Sequence, residues 1–117
     1  MKTSHLPPDD VILCNRSATY LGLKKYVPAG HDALQAAKAN PDNWKAHWRH
    51  AVSIMALTPK RFRTKQALAS LEKCLACSTL PDNKRNEVNE FIKKATDRLN
   101  MQDAQVPDLF VYVVMVV

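Results

Sequence analysis

Proline divides this chain into segments of helical length. Pro7 and Pro8 block a helix at the start, and later breaks fall at Asn40-Pro41, Thr58-Pro59 and Leu80-Pro81. Proline disrupts a helix interior, and the residue before it is pushed out of the helical region. Pro28 is the exception, because in the first turn of a helix its missing N–H costs nothing. The predicted helices cover residues 9–23, 28–39, 42–57, 61–78 and 83–99.

Apolar and small residues recur at helical spacing within these segments, and Asp or Asn precedes three of them as a cap. Asp9 or Asp10 caps the first helix, and Asp42 or Asn43 the third. We therefore expect an all-α fold in which consecutive helices pack on one another. The predicted inward stripes are Leu13, Ser17, Tyr20 and Leu21; Ala29, Ala33, Ala36 and Ala37; Ala67, Leu68, Leu71, Cys74 and Leu75; and Val88, Phe91, Ile92, Ala95 and Leu99. Tyr26, Phe62, Trp44 and Trp48 are also expected to pack, whereas Lys84, Arg85, Lys93, Lys94 and Arg98 are expected to face outward.

Length and charge limit the function classes. A chain of 117 residues has room for one domain, and a net charge of +6 favours an anionic partner. The residues from Lys45 to Lys73 hold seven basic side chains and one acidic one, Glu72. Nucleic acid is a weak alternative, because no recognition-helix or aromatic-platform pattern is present. No nucleophile–base set, phosphate loop or metal-ligand set appears, so an enzyme is not expected and no cofactor is predicted.

The three cysteines are expected to be reduced. Cys74 and Cys77 form a single C-x-x-C pair without the second pair that a zinc site needs, and they are expected to pack as small apolar residues. His47 and His50 lack a third ligand and are expected to pack at the surface or in a turn. The N-terminus has no apolar signal core, so we expect a cytoplasmic protein without a membrane span.

The last residues differ from the rest. Val106-Pro107-Asp108 precedes nine uninterrupted apolar residues at 109–117, too few to span a bilayer. The segment is uncharged and rich in β-branched residues, which is typical of a partner-pairing or aggregation-prone strand. It could pack on the end of the helical array, pair with another copy or remain loose.

Three polar residues are spaced so that they meet on one surface. Asn15 and Arg49 lie 34 residues apart, the length of one helix–turn–helix unit, and Lys45 lies one helical turn before Arg49. Equal positions on successive repeats line the same wall of a superhelix. Two cations and an amide in one groove would receive an anion, most simply a peptide carboxylate.

The chain resembles the tetratricopeptide repeat family, and within it the dicarboxylate-clamp subclass of co-chaperones. Asn15-Arg16-Ser17-Ala18 with Tyr20 is similar to the first helix of that clamp's second repeat, and the segment from Asn40 to Arg49 to the entry of its third. The resemblance covers about residues 8–99. The generic family positions are matched by Leu13, Arg16, Ser17, Tyr20, Ala29, Ala33, Ala36 and Pro41, and then by His47, His50, Ala51, Ile54, Ala67, Leu71 and Cys74.

The resemblance implies an α-solenoid of antiparallel helix pairs. Repeats would occupy about 10–43 and 44–81, with a capping helix at about 83–99, an extended lead-in at 1–8 and an apolar tail at 101–117. An insertion around 58–64 lengthens the turn of the second unit. As a truncated array it is expected to expose Val11, Ile12, Tyr20 and Leu23 on its first helix.

The resemblance also implies a partner. In this family the groove holds the C-terminal Asp of heat-shock chaperones that end in Glu-Glu-Val-Asp, and Asn15, Lys45 and Arg49 would share that role. The family takes a further Lys and Asn from an earlier repeat, so three of five clamp residues are matched. The alternative is a repeat scaffold that assembles with itself or another protein and does not bind a C-terminal carboxylate.

Overall fold

The computed structural model describes residues 9–57 and 59–116, with side chains described as far as residue 103. It contains five helices, and no strand occurs in that part of the chain. The all-α fold predicted from the sequence is confirmed, while the predicted lead-in at 1–8 lies outside the described residues. The helices are α1 (Asp10–Gly22), α2 (Tyr26–Ala39), α3 (Trp44–Ala56), α4 (Arg61–Ala76) and α5 (Asp82–Val116).

The helix starts follow from local capping. Asp9 caps α1, its Oδ1 accepting from the backbone N–H groups of Val11 at 2.9 Å and Ile12 at 3.3 Å. Asn43 caps α3 by accepting from the Ala46 N–H. These side chains satisfy amides that have no partner within the helix. Both caps were among those predicted.

The turn between α1 and α2 is shorter than predicted. The predicted helices left residues 24–27 between them, but α2 begins at Tyr26. Lys24 has a φ of 59°, and its left-handed backbone reverses the chain within three residues. Pro28 lies in the first turn of α2, as predicted.

Consecutive helices pack along the whole array. Each helix contacts the next in the chain, and α1 also contacts α3. A cluster of small side chains fills the space between α1, α2 and α3, where Cys14, Ala36, Ala37 and Ala46 are buried and Leu13 packs against them. A second cluster joins α3, α4 and α5: its buried members are Ala51, Ile54, Ala67, Leu71, Cys74, Leu80, Val88 and Ala95.

Most of the predicted inward stripes are buried. The four alanines of α2 are at most 8% exposed, and Ala67, Leu71 and Cys74 of α4 are fully buried. Leu68 and Leu75 are partly buried against the second cluster. Cys74 and Cys77 are buried and unpaired, as predicted.

Two side chains depart from the predicted pattern. Phe62 was expected in the core but is 58% exposed, because it lies in the first turn of α4 on the side away from Leu71. Arg98 was expected to face outward. It is partly buried instead, and its Nη1 donates to the Met55 carbonyl oxygen at 3.1 Å. Met55 is in the last turn of α3, where carbonyl groups lack helical partners.

The fifth helix is much longer than its predicted 83–99 range. It runs from Asp82 to Val116, so the backbone of the apolar tail is helical rather than strand-like. Residues 100–105 contain good helix formers and no glycine, so nothing ends the helix after Leu99. An ion pair between Arg61 and Asp103 joins this stretch to the start of α4. Within the described part of the chain, no helix is both long and apolar enough to cross a bilayer.

Positions 34 residues apart in α1 and α3 show where the array is uncovered. Ala46 and Ser53 of α3 are fully buried, and α2 comes so close that a Cβ on Gly30 would lie 3.3 Å from the Ser53 Cβ. The equivalent residues of α1 are Ile12, which is 64% exposed, and Thr19, which is also exposed. Together with exposed Val11 and Leu23, they form an uncovered face on α1. The exposure of Val11, Ile12 and Leu23 was predicted, whereas Tyr20, which was also predicted there, is only partly exposed.

Candidate functional site

The three polar residues singled out in the sequence line one cavity. Asn15 comes from α1, and Lys45 and Arg49 come from successive turns of α3. The cavity measures about 290 Å³ and is also lined by Asp10, Val11, Cys14, Asn40, Asn43, Trp44 and Thr79. Packing of α1 against α3 produces this arrangement, because the two helices are equivalent members of successive helix pairs.

Arg49 is held in place by the backbone of α1. Its Nη1 donates to the Cys14 carbonyl oxygen at 2.7 Å and lies 3.0 Å from the Cys14 sulfur. A guanidinium has five N–H groups, so one anchored nitrogen still leaves donors for a ligand. The anchor fixes the direction of the fork, which reduces the conformational entropy that binding must overcome.

Lys45 and Asn15 are the mobile donors of the cavity. Both residues are exposed, and neither side chain has a hydrogen bond or ion pair within the described residues. The ammonium group of Lys45 can therefore follow a ligand, while the Asn15 amide offers a donor on the opposite wall. The cavity thus combines one oriented cation, one flexible cation and one neutral donor.

A second cavity continues the first along α3. It measures about 210 Å³ and shares Trp44, Lys45 and Arg49 with the first; its other lining residues are Leu21, Trp48, Lys84, Glu87 and Val88. Because the cations belong to both cavities, the two form one groove across α3 from α1 to α5. We call it the α3 groove.

The tryptophans are both packing residues and walls of the groove. Trp44 and Trp48 pack against the second apolar cluster, as predicted. The Trp48 ring meets Phe91 of α5 edge-on, with ring centroids 5.1 Å apart and an interplanar angle of 70°. This contact fixes α5 relative to α3 and so sets the width of the groove at that end.

Asp10 is an acidic member of the cation-lined cavity, although the sequence analysis predicted only a capping role for it. Its Oδ2 accepts from the side-chain amides of Asn43 at 2.8 Å and Asn40 at 3.2 Å. Burial raises the pKa of the Cys14 thiol; Arg49 and Lys45 oppose this, whereas Asp10 adds to it. The charges of Arg49, Lys45 and Asp10 therefore all act on the Cys14 thiol.

The loop before α3 is tied to the loop before α5. Asp42 accepts from the Ser78 N–H at 2.7 Å and from the Ser78 hydroxyl, and these bonds lower the pKa of its carboxyl group. Thr79 donates its hydroxyl to the Asp42 carbonyl and accepts from the Trp44 N–H. These bonds fix the first turn of α3, from which Lys45 projects.

A cavity larger than either part of the groove lies on another side of α3. It measures about 620 Å³ between α2 and α4 and is lined by Leu34, Ala37, Lys38, Pro41, Asp42, His47, His50, Ser70, Lys73, Ala76 and Cys77. His47 contacts the Pro41 carbonyl at 2.7 Å, and His50 contacts the Ser70 hydroxyl at 2.7 Å. Burial, with smaller effects of His47 and Lys73, lowers the pKa of His50 to about 4. Both histidines therefore pack against neighbouring groups: His47 is buried and His50 is partly buried.

Arg16, the neighbour of Asn15 in the sequence motif, is turned away from the groove. Its Nε and Nη2 donate to the two carboxylate oxygens of Asp32 at 2.6 and 2.8 Å. The Asp32 side chain is almost fully buried, and Arg16 lowers its pKa. This pair joins α1 to α2 and sets the rotation of α1 that presents Asn15.

No protein-family model matches this chain.

Proposed function

We propose that this protein is a non-catalytic interaction module of the tetratricopeptide repeat type. It binds the acidic C-terminal peptide of a heat-shock chaperone, of the Glu-Glu-Val-Asp kind, in the α3 groove. The observation that carries the proposal is the cavity lined jointly by Asn15, Lys45 and Arg49. The three unpaired cysteines support a cytoplasmic location.

The donors suit a peptide terminus, which bears a main-chain carboxylate and, when the last residue is Asp, a second carboxylate beside it. Arg49 offers an oriented fork for one carboxylate, because its Nη1 is anchored to Cys14. Lys45 follows as a mobile point charge, and the Asn15 amide can donate to either group.

The rest of the α3 groove supports an extended peptide rather than a small anion. The second cavity leads from the two cations toward α5, with apolar walls from Trp44, Trp48 and Val88 and one further charge of each sign, Lys84 and Glu87. An extended chain advances about 3.3 Å per residue, so neighbouring cavities can take successive side chains.

The affinity should be modest, since each charge-assisted hydrogen bond contributes about 1.5–3 kcal/mol when buried and less at an exposed site such as Lys45. The free-energy cost of association and of ordering the peptide is subtracted from these contributions, so weak binding is expected.

The test is a calorimetric titration with a peptide ending Glu-Glu-Val-Asp, carrying either a free or an amidated C-terminus. Lys45→Ala and Lys45→Ala/Arg49→Ala proteins are compared with the unaltered chain. We expect amidation or Lys45→Ala to weaken binding by about tenfold, and the double variant to weaken it further.

Lys65→Ala is the matched control, because Lys65 is an exposed lysine of α4 that lines neither cavity of the groove. It removes the same charge and should change affinity by less than about twofold. Binding that is indifferent to amidation, or that Lys65→Ala weakens as much as Lys45→Ala, would contradict the clamp.

A second candidate function is assembly through the uncovered face of α1. Ile12 and Leu23 are 64% and 60% exposed, although the position equivalent to Ile12 in α3 is fully buried by α2. Exposed apolar surface of this kind marks a protein-interaction site. The same titration separates the two functions, because docking of a helix on this face requires neither Lys45 nor a free carboxylate.

A further inference from the structure

We infer that Asp10 is a specificity-determining residue of the α3 groove: it reduces the advantage that a second carboxylate at the peptide terminus would otherwise gain from Lys45 and Arg49. This inference rests on the proposed function and concerns which peptide termini the groove prefers. It depends on the position of Asp10 inside the cation-lined cavity.

Asp10 is fixed in the cavity wall. Two amide donors, Asn43 and Asn40, hold its Oδ2 at 2.8 and 3.2 Å, so the carboxylate cannot easily swing away when a ligand enters. No ion pair joins Asp10 to Lys45 or Arg49 within the described residues. Its negative charge is therefore not cancelled by direct contact, and its other oxygen can accept a hydrogen bond.

The charges of this cavity then select the ligand. Lys45 and Arg49 supply two positive charges and Asp10 one negative charge, so one carboxylate leaves the cavity neutral. The main-chain carboxylate of a peptide meets this requirement. The side-chain carboxylate of a terminal Asp adds a charge that Asp10 repels, whereas a terminal Asn brings an amide that can donate to Asp10.

The experiment measures the preference between two peptides that differ only in the last side chain. One ends Glu-Glu-Val-Asp and the other Glu-Glu-Val-Asn, both with free C-termini. The measured quantity is the ratio of the dissociation constants of the two peptides. It is determined separately for the unaltered protein, for Asp10→Asn and for Asp9→Asn. Asp10→Asn removes the charge with little change of shape and keeps an acceptor oxygen for Asn43.

Asp9→Asn is the matched control. It removes the same charge one residue away, and Asp9 does not line the cavity. Asn also caps helices as well as Asp, so α1 should remain intact. A general gain of positive charge would affect both variants equally. A local effect of Asp10 would affect only Asp10→Asn.

We expect Asp10→Asn to shift the ratio toward the Asp-ending peptide by roughly three- to tenfold, and Asp9→Asn to shift it by less than about twofold. Equal shifts in the two variants, or none, would overturn the role of Asp10 while leaving the proposed function intact. Failure of all three proteins to bind either peptide would overturn the proposed function and this inference with it. Circular dichroism of each variant confirms that the helices are retained.

Discussion

The two ends of the helical array are built from different kinds of contact. Between α1 and α2 the buried side chains are small, chiefly Cys14, Ala36 and Ala37, and polar bonds join the helices. Ser17 donates to the Ala29 carbonyl at 2.7 Å, and Arg16 pairs with buried Asp32. Around α4 the buried side chains are larger, and the aromatic rings of Trp48 and Phe91 meet there.

The difference shows how one repeating architecture can be stabilised in two ways. Alanine lets helix backbones approach closely but buries little apolar surface, so burial contributes less and each polar bond matters more. Leucine and isoleucine contribute more by burial alone. The candidate site lies where the two kinds of packing meet, because Asn15 belongs to the first and Lys45 and Arg49 reach toward the second.

The largest expected effect comes from Leu71→Ala. Leu71 is fully buried in the cluster between α3, α4 and α5, so truncation removes apolar burial and leaves a cavity. We expect a loss of about 2–5 kcal/mol in the free energy of unfolding, measured by urea denaturation.

Leu23→Ala is the control for this change, because the same truncation is made on a leucine that is 60% exposed at the α1 end. It should cost less than about 1 kcal/mol. A similar cost for both variants would show that burial is not what separates the two ends.

The sequence predicted the fold class, the main helix starts and the meeting of Asn15, Lys45 and Arg49 in one cavity. Helical periodicity and proline breaks are local signals, and a spacing of 34 residues needs only a regular repeat to become a spatial contact. The extension of α5 was missed because helical spacing of apolar residues was followed only to Leu99 and the apolar segment at 109–117 was interpreted as strand-like from its composition. Proline is a frequent helix breaker, but here the helix continues past it.

The missed residues of the site could not be read from local patterns. Asp10 was assigned to capping, and its place in the cavity depends on Asn40 and Asn43, some 30 residues away. Phe62 was taken as core because aromatic residues are usually buried, but its position on α4 is set by the register of the Leu71 face. Both outcomes depend on how helices pack, which a periodicity argument does not determine.

The next largest effect is expected at the polar end. In Arg16→Leu the buried Asp32 carboxylate loses its bidentate partner, since Nε and Nη2 of Arg16 hold both of its oxygens. An uncompensated buried carboxylate is costly, but Arg16 itself is exposed and solvent screens the pair, so we expect a smaller loss in the free energy of unfolding than for Leu71→Ala.

A double-mutant cycle separates the buried charge from lost packing. If the carboxylate is the cause, adding Asp32→Asn to Arg16→Leu should recover part of the lost free energy of unfolding, because a neutral amide is less costly to bury. If the double variant is instead less stable than Arg16→Leu alone, the pair does not act through charge. The contact between α1 and α2 would then depend on packing, as the cluster around α4 does.

The smallest effect is a pH dependence at the apolar end. His50 lies partly buried against Ser70, and burial lowers its pKa to about 4 from an ordinary value near 6.5. The unfolded chain therefore takes up a proton at a higher pH than the native state does. The stability contributed by neutral His50 is present above about pH 6.5 and is lost as the pH falls from there toward 4.

We expect this loss to reach about 1 kcal/mol after discounting for partial exposure. The measurement is urea denaturation of the unaltered chain and of His50→Gln at intervals between pH 7.5 and 4.5. Glutamine keeps a polar group near Ser70 but does not titrate, so the difference between the two curves isolates His50. Asp32, whose pKa is lowered by Arg16, affects both proteins alike and only at more acidic pH. If the free energies of unfolding of the two proteins change with pH in parallel, His50 is hydrated in the native state. Water would then enter the contact between α3 and α4 more than its packing implies.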